Sequence, residues 1–190
     1  MTATDANKGT AKPPAGPLAG VKIIDLTSVM MGPYATMLLG DYGADIIKVE
    51  GPEGDVMRYA APMRHPQMGA MYLQGNRNKR SIVLDLKKTG GRETLLRLSA
   101  TADVFVHNVR SAAMRRLRLG ADDLLALNPR LVYVSLHGFG EEGPYAGRPA
   151  YDDLIQGMTA LPALTGKISG EPRFSPATAR LLGRIDNMTP

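Results

Sequence analysis

Apolar positions along this chain come in short runs separated by amphipathic stretches. Residues 21–26, 44–49, 81–86, 103–107 and 131–136 are brief runs rich in Ile, Val and Leu, the length of buried strands. Between them the apolar positions follow the helical period. Gly32-Pro33 predicts a helix over residues 34–39, ended by Gly40 or Gly43. Leu95, Leu96 and Leu98 with Arg92 and Arg97 predict an amphipathic helix over residues 91–102. Ser111 is placed to cap a helix over residues 112–119, with Gly120 ending it. Asp122 or Asp123 opens another through Leu127, stopped by Asn128-Pro129, and Asp152 or Asp153 is placed to cap one over residues 154–161. Strands alternating with helices predict an α/β domain with a mostly parallel sheet. Its ligand edge would be built by the loops that start at Thr27, Glu50, His107 and His137. Residues 51–78 show no clear period and read as a functional or poorly ordered loop. No period of 20–50 residues signals a repeat architecture.

Composition narrows the chemistry. There is no cysteine, which removes disulfides, thiolate nucleophiles and cysteine-type zinc sites together. His65, His107 and His137 are too widely spaced for a helical metal pair, so no metal is expected. The most apolar stretch, residues 29–39, is short and broken by Gly32 and Pro33, so no membrane span is expected. The start of the chain is small, polar and proline-bearing without an apolar signal segment, and it reads as a disordered leader of a cytoplasmic protein. A net charge of +5 suits an anionic ligand as well as it suits an ordinary solvated surface. Aromatic residues make up only 5%, too few for a stacking surface, so nucleic acid is the least expected partner.

Three constellations carry candidate chemistry. Gly138, Gly140 and Gly143 fit a dinucleotide-type glycine pattern, but Pro144 and Pro149 follow where a helix should open, and Glu141 and Glu142 stand where an anion would sit. A flexible glycine loop is the better reading. The basic run from Asn76 through Arg77, Asn78, Lys79 and Arg80, and the group Arg110, Arg115, Arg116 and Arg118, suit phosphates, although charged groups of this kind usually form a solvated face. Tyr151-Asp152-Asp153 offers a carboxylate as base or nucleophile, against the plainer role of helix cap.

Together the motifs are more specific than any one of them. Residues 17–26, Gly32-Pro33 and residues 39–50 closely resemble the opening of class III (family III) coenzyme A transferases. So do residues 78–86, 102–106, 128–140 and 148–156, in matching order and spacing from residue 17 to about residue 176. The resemblance implies a Rossmann-like large domain, here incomplete, of a homodimer of interlocked rings. It implies transfer of CoA between an acyl-CoA and a carboxylic acid through an aspartyl intermediate, with the CoA thioester as substrate and no permanently bound cofactor. Carried over by position, CoA contacts fall on Ser28, Val29, Met30, Met31, Asn78, Lys79, Arg80, Asn108, Val109, Arg110, Arg116 and Tyr151, and Asp152 beside that tyrosine is the candidate catalytic carboxylate.

Family members are longer, and their nucleophilic aspartate lies about thirty residues beyond the position of Tyr151. That lands near Leu181, where Asp186 is out of register. The expected organisation is therefore a leader at residues 1–16, the N-terminal portion of the large domain at 17–176, and an atypical end at 177–190, in a truncated chain with little activity alone. Two alternatives stand beside this reading. One is a racemase of the α-methylacyl-CoA type with Asp152 as acid/base. The other is a non-catalytic CoA- or nucleotide-binding module.

Overall fold

A computed structural model of the chain describes residues 16–172. The first fifteen residues of the expected leader, and everything from residue 173 onward including Asp186, lie outside the described residues. The strands are β1 (Lys22–Leu26), β2 (Asp45–Glu50), β3 (Lys79–Val83), β4 (Val104–His107) and β5 (Val132–Ser135). The helices are α1 (Met31–Asp41), α2 (Ala70–Gly75), α3 (Thr89–Ser99), α4 (Ser111–Leu117), α5 (Ala121–Leu127), α6 (Asp152–Met158) and α7 (Leu161–Ser169). All strand pairs are parallel, in the order β3-β2-β1-β4-β5. This is the α/β architecture that the alternating pattern predicts, with the strand order of a Rossmann sheet.

The two faces of the sheet differ, because successive strand residues point to opposite sides. One face is largely apolar, with the buried His107 at its carboxyl end. Ile24, Leu26, Val49 and Phe105 pack there with Leu95, Met114, Leu119 and Leu124, and each of the largest of these side chains is worth about 1.5–3 kcal/mol on burial. The other face begins apolar, with Ile23, Ile46 and Val106. It then turns charged toward the carboxyl ends, because the register sets Asp25 beside Lys48, Lys48 beside Ser81, and Ile46 beside Lys79. Asp25, Lys48 and Glu50 are all buried there.

Several elements differ from their expected bounds for local reasons. β3 ends at Val83 rather than Leu86, since the Asp85 carboxylate accepts the Lys87 N–H (3.1 Å) and turns the chain. Gly91 passes so near this turn that a Cβ there would lie 2.2 Å from the Asp85 carbonyl oxygen. α4 stops at Leu117, where Arg118 turns left-handed, and Gly120 instead precedes α5, its N–H donating to Asp123 (3.1 Å). Ser111 is the first residue of α4 rather than its cap. The single helix expected over residues 154–161 is two, α6 and α7, parted at the left-handed Ala160. Asp152 and Asp153 lie in the first turn of α6, after the capping position of Tyr151.

Residues 51–78 are the largest departure. They contain a 3-10 turn at Val56–Arg58 and the helix α2, and they bury Asp55, Met57 and Tyr72. Polar anchors rather than a periodic apolar stripe order this segment. The Glu50 carboxylate accepts Arg58 Nε and Nη2 (both 2.7 Å), the Tyr72 hydroxyl (2.8 Å), the Ser81 hydroxyl (2.8 Å) and the Asp55 N–H (2.9 Å).

Candidate active site

β1 and β4 are neighbours whose following connections depart in opposite directions, β1 toward β2 and β4 toward β5, so the crevice between their carboxyl ends is the switch point of the sheet. The two loops there are tied directly. Ser28 N–H donates to Asn108 Oδ1 (3.0 Å), and Asn108 Nδ2 returns a bond to the Ser28 carbonyl (2.8 Å). This brings Ser28, Val29, Met30 and Met31 together with Asn108, Val109 and Arg110, as expected from position. Met30 and Met31 stand exposed at the entrance of α1. Gly32 is required behind them, since a Cβ would lie within 2.4–2.8 Å of the Thr27 side chain.

Tyr151 and Asp152 share this carboxyl edge beside β5. The loop after β5 packs on the start of α6 so closely that a Cβ on Gly138 would lie 2.1 Å from Ala150 Cβ. Tyr151 is exposed, and Asp152 accepts from Gln156 Nε2 (2.6 Å). No helix follows Gly143 directly, in keeping with the rejection of a dinucleotide loop there.

Asn78, Lys79 and Arg80 are not gathered with the others. They enter β3 at its amino end and are bonded within the protein. Asn78 donates to Asp41 (2.7 Å), and Arg80 Nη2 donates to both oxygens of Asp45 (2.7 and 2.8 Å). Lys79 Nζ donates to Asp25 (2.9 Å), the Pro33 carbonyl (2.8 Å) and Asn76 (2.9 Å), which uses all three of its donors. Burial works to raise the pKa of Asp25, but Lys79, Thr27 and Thr36 outweigh it and hold the carboxyl below its ordinary range.

Arg116 lies elsewhere again, in a pocket of about 290 Å³ lined by Leu86, Lys87, Lys88, Thr89, Arg92, Arg116, Leu117 and Arg118. Five cationic side chains and the start of α3 converge there, with no carboxylate in the lining. Such an arrangement has the charge and the donors to hold a phosphate group. The sequence reading missed Lys87 and Lys88. The signal was present as two lysines between a strand and the first turn of a helix.

Around β4 and β5, Ser111 Oγ lies 3.2 Å from His137 Nε2 and also donates to Glu141, while Glu141 lies 3.5 Å from the same His137 nitrogen. The sequence reading found no such serine, histidine and acid group. It is not a catalytic relay, which needs the acid on the other ring nitrogen. Beneath it His107 is buried, in ring contact with Phe105, Tyr133 and His137. Its Nδ1–H donates to the Val109 carbonyl (3.0 Å), so Nε2 carries the lone pair, and that atom has no partner. Burial, helped by His137, pushes the imidazole down from 6.5 to about 4.

Two acid steps in stability follow. His107 binds its proton in the unfolded chain first, so its stabilisation is full above pH 6.5 and is lost as pH falls toward about 4. Burial raises the pKa of Glu50, yet the bonds from Arg58, Tyr72, Asp55 and Ser81 hold it at about 2 instead of 4.5. Its contribution is therefore full above 4.5 and lost as pH falls through about 2. Each step is expected to remove roughly 2–3 kcal/mol, allowing for screening at the partly exposed Arg58. Urea midpoints from pH 8 to about pH 2 measure this. His107→Phe should flatten the upper step and leave the lower one, and an unchanged upper step would refute the assignment.

Among the described residues no helix is long and apolar enough to cross a membrane, and no group of three or more His, Cys, Asp or Glu could hold a metal ion.

Comparison with known proteins agrees with this fold. The family model for CoA-transferase family III matches residues 18–180. The chain is 42% identical over 163 residues to a succinate–glutarate CoA-transferase of Agrobacterium fabrum, covering 82% of this chain and 41% of that protein. It is 41% identical over 157 residues to the human succinyl-CoA:glutarate CoA-transferase, covering 82% and 36%. Among solved structures, a CAIB/BAIF family protein from Brucella suis superposes with a TM-score of 0.80 at 41% identity, covering 85% of this chain and 44% of that one. The chain thus spans less than half the length of these relatives. With the parallel sheet, the tied switch point and a matching family model over most of its length, the chain belongs to CoA-transferase family III.

Proposed function

We propose that this chain binds CoA for transfer between an acyl-CoA and a carboxylic acid. The observation that carries the reading is the pocket of Lys87, Lys88, Arg92, Arg116 and Arg118, which has the charge to hold the phosphates of CoA. The exposed Ser28–Met31 and Asn108–Arg110 loops would then guide the pantetheine arm along the sheet edge toward Tyr151 and Asp152. Asn78, Lys79 and Arg80 support the fold in this reading and do not touch the ligand.

The reaction proposed is the one the resemblance implies. An aspartate oxygen attacks the thioester carbon, the C–S bond breaks, and CoA leaves as thiolate. The thiolate attacks the aspartyl carbonyl of the mixed anhydride, releasing the donor carboxylate and leaving an aspartyl-CoA thioester. The acceptor carboxylate repeats these steps in reverse. No proton transfer is required, which suits a carboxylate ionised at neutral pH. The position expected for that nucleophile, near Leu181, lies outside the described residues. Asp152 is the carboxylate proposed beside the acyl group, in the first turn of α6 where the helix dipole favours negative charge.

A homodimer belongs to the same reading. Met31, Tyr34, Leu38 and Tyr42 follow each other at helical spacing along α1 and are all exposed. Light scattering is expected to give twice the chain mass, and a monomer across the working concentration range would refute it.

The activity is tested by incubating the protein with succinyl-CoA and glutarate and following new thioester by mass spectrometry. Glutaryl-CoA should appear at a low rate, and Asp152→Asn, which removes a negative charge beside the acyl group, should change that rate. Exchange of the α-proton of a branched acyl-CoA in heavy water, without transfer, would favour the racemase reading instead. CoA binding with neither reaction would favour a binding module.

A further inference from the structure

Among the described residues Val29 is the one β-branched residue with a left-handed backbone, at φ 71°. The other non-glycine residues in that region are Gln67, Asn78, Arg118 and Ala160. A branched side chain is a genuine outlier there, and such outliers persist only where the surroundings enforce them.

Here one buried carboxylate does most of the enforcing. Asp55 Oδ1 accepts the Val29 N–H (3.2 Å) together with the Met57 N–H (3.0 Å). Asp55 Oδ2 accepts Lys48 Nζ (3.1 Å), and the same ammonium donates to the Thr27 carbonyl (2.8 Å). The Asp55–Lys48 pair therefore grips the chain on both sides of Ser28, whose own backbone is held by Asn108. Both side chains of the pair are only 1% exposed, so water offers the loop no substitute partner. Asp55 is fixed in turn, its N–H donating to Glu50 Oε2 (2.9 Å). Beyond the grip, Met30 and Met31 are 43% and 58% exposed, and α1 begins.

We propose that Asp55 is a positioning residue of the CoA site. It imposes the left-handed turn on Val29 and so holds Ser28, Met30 and Met31 in their ligand-binding arrangement without itself meeting the ligand. The proposal rests on the CoA reading above, and its test separates the two.

The first arm needs no ligand. Residue-resolved NMR of the wild-type protein should show a strong intraresidue HN–Hα cross-peak at Val29 and slow exchange of its amide, whose hydrogen-bond acceptor is Asp55. Both signatures should vanish in Asp55→Ala, which removes the Oδ1 acceptor that an asparagine would keep. A freely exchanging Val29 amide in the wild type, or signatures that survive the substitution, overturn the proposal. If Asp55→Ala does not fold, the wild-type spectrum decides.

The second arm is a cycle read by CoA titration. Asp55→Ala should weaken CoA by about 10-fold in the Val29 background. In the Val29→Gly background the same change should cost no more than about 3-fold, since glycine adopts positive φ without enforcement. A merely structural role predicts equal penalties in both backgrounds. If the wild-type protein does not bind CoA, the CoA reading fails, while the NMR arm still decides whether Asp55 sets the turn.

Discussion

Lys79→Met is expected to lower the unfolding free energy by about 3–5 kcal/mol, with little direct effect on ligand contact. Lys79 and Asp25 form an ion pair of 2.9 Å with side chains 1% and 0% exposed, so removing the cation leaves a buried carboxylate without its charge partner. Asp25 keeps its bonds from the Thr27 hydroxyl (2.5 Å) and the Thr36 hydroxyl (2.6 Å), which stops the loss from being larger still. Removing both charges with Asp25→Asn and Lys79→Met should cost less than the sum of the single changes, because no uncompensated charge then remains. Arg80→Met next to it should stay within about 1 kcal/mol, since its pair with Asp45 is exposed on both sides. Denaturant titration measures all of these. An unchanged midpoint for Lys79→Met together with a large fall in CoA affinity would return Lys79 to the ligand site and contradict its placement in the fold.

The second large effect is expected in the cationic pocket. Lys87→Ala and Arg116→Ala should each weaken CoA by about 10- to 100-fold, the loss of one charge-assisted hydrogen bond to phosphate. Both side chains are on exposed elements and partner no buried acid, so the unfolding free energy should change by less than about 1 kcal/mol. Affinity should fall with added salt in the wild-type protein and fall less steeply in the variants. Dephospho-CoA identifies the phosphate concerned. A variant that discriminates CoA from dephospho-CoA no better than chance, where the wild type does so clearly, has lost the contact to the 3′-phosphate. Unchanged affinity in both variants would remove this pocket from the ligand site.

The sequence carried the sheet well. The central strands β1 and β4 are buried over most of their length, so they appear as short apolar-rich runs that periodicity can find. The Ser28–Asn108 bond joins residues 80 apart, yet both positions were named from family motifs that keep their spacing. What stayed hidden was structure made by polar pairing. Lys48 and Glu50 sit in an apparently amphipathic strand, and nothing in its pattern says that both are buried and that each organises residues 51–78. That segment lacks a helical stripe because Asp55, Arg58 and Tyr72 order it through hydrogen bonds instead. The internal bonds of Lys79 stayed hidden for the same reason. A lysine at the start of an edge strand has no sequence mark that shows an aspartate 54 residues earlier beneath it. Lys87 and Lys88 escaped because their partners in the pocket, Arg116 and Arg118, come from a helix beyond the next strand.

The most direct measurement is a calorimetric titration of the protein with CoA at low salt, with NAD as the comparison. The account predicts saturable binding of CoA that weakens as salt is added, and no comparable binding of NAD, which lacks the 3′-phosphate and finds no helix-opening glycine loop after β5. Absence of CoA binding by a protein that melts cooperatively, or NAD binding as tightly as CoA, would contradict it.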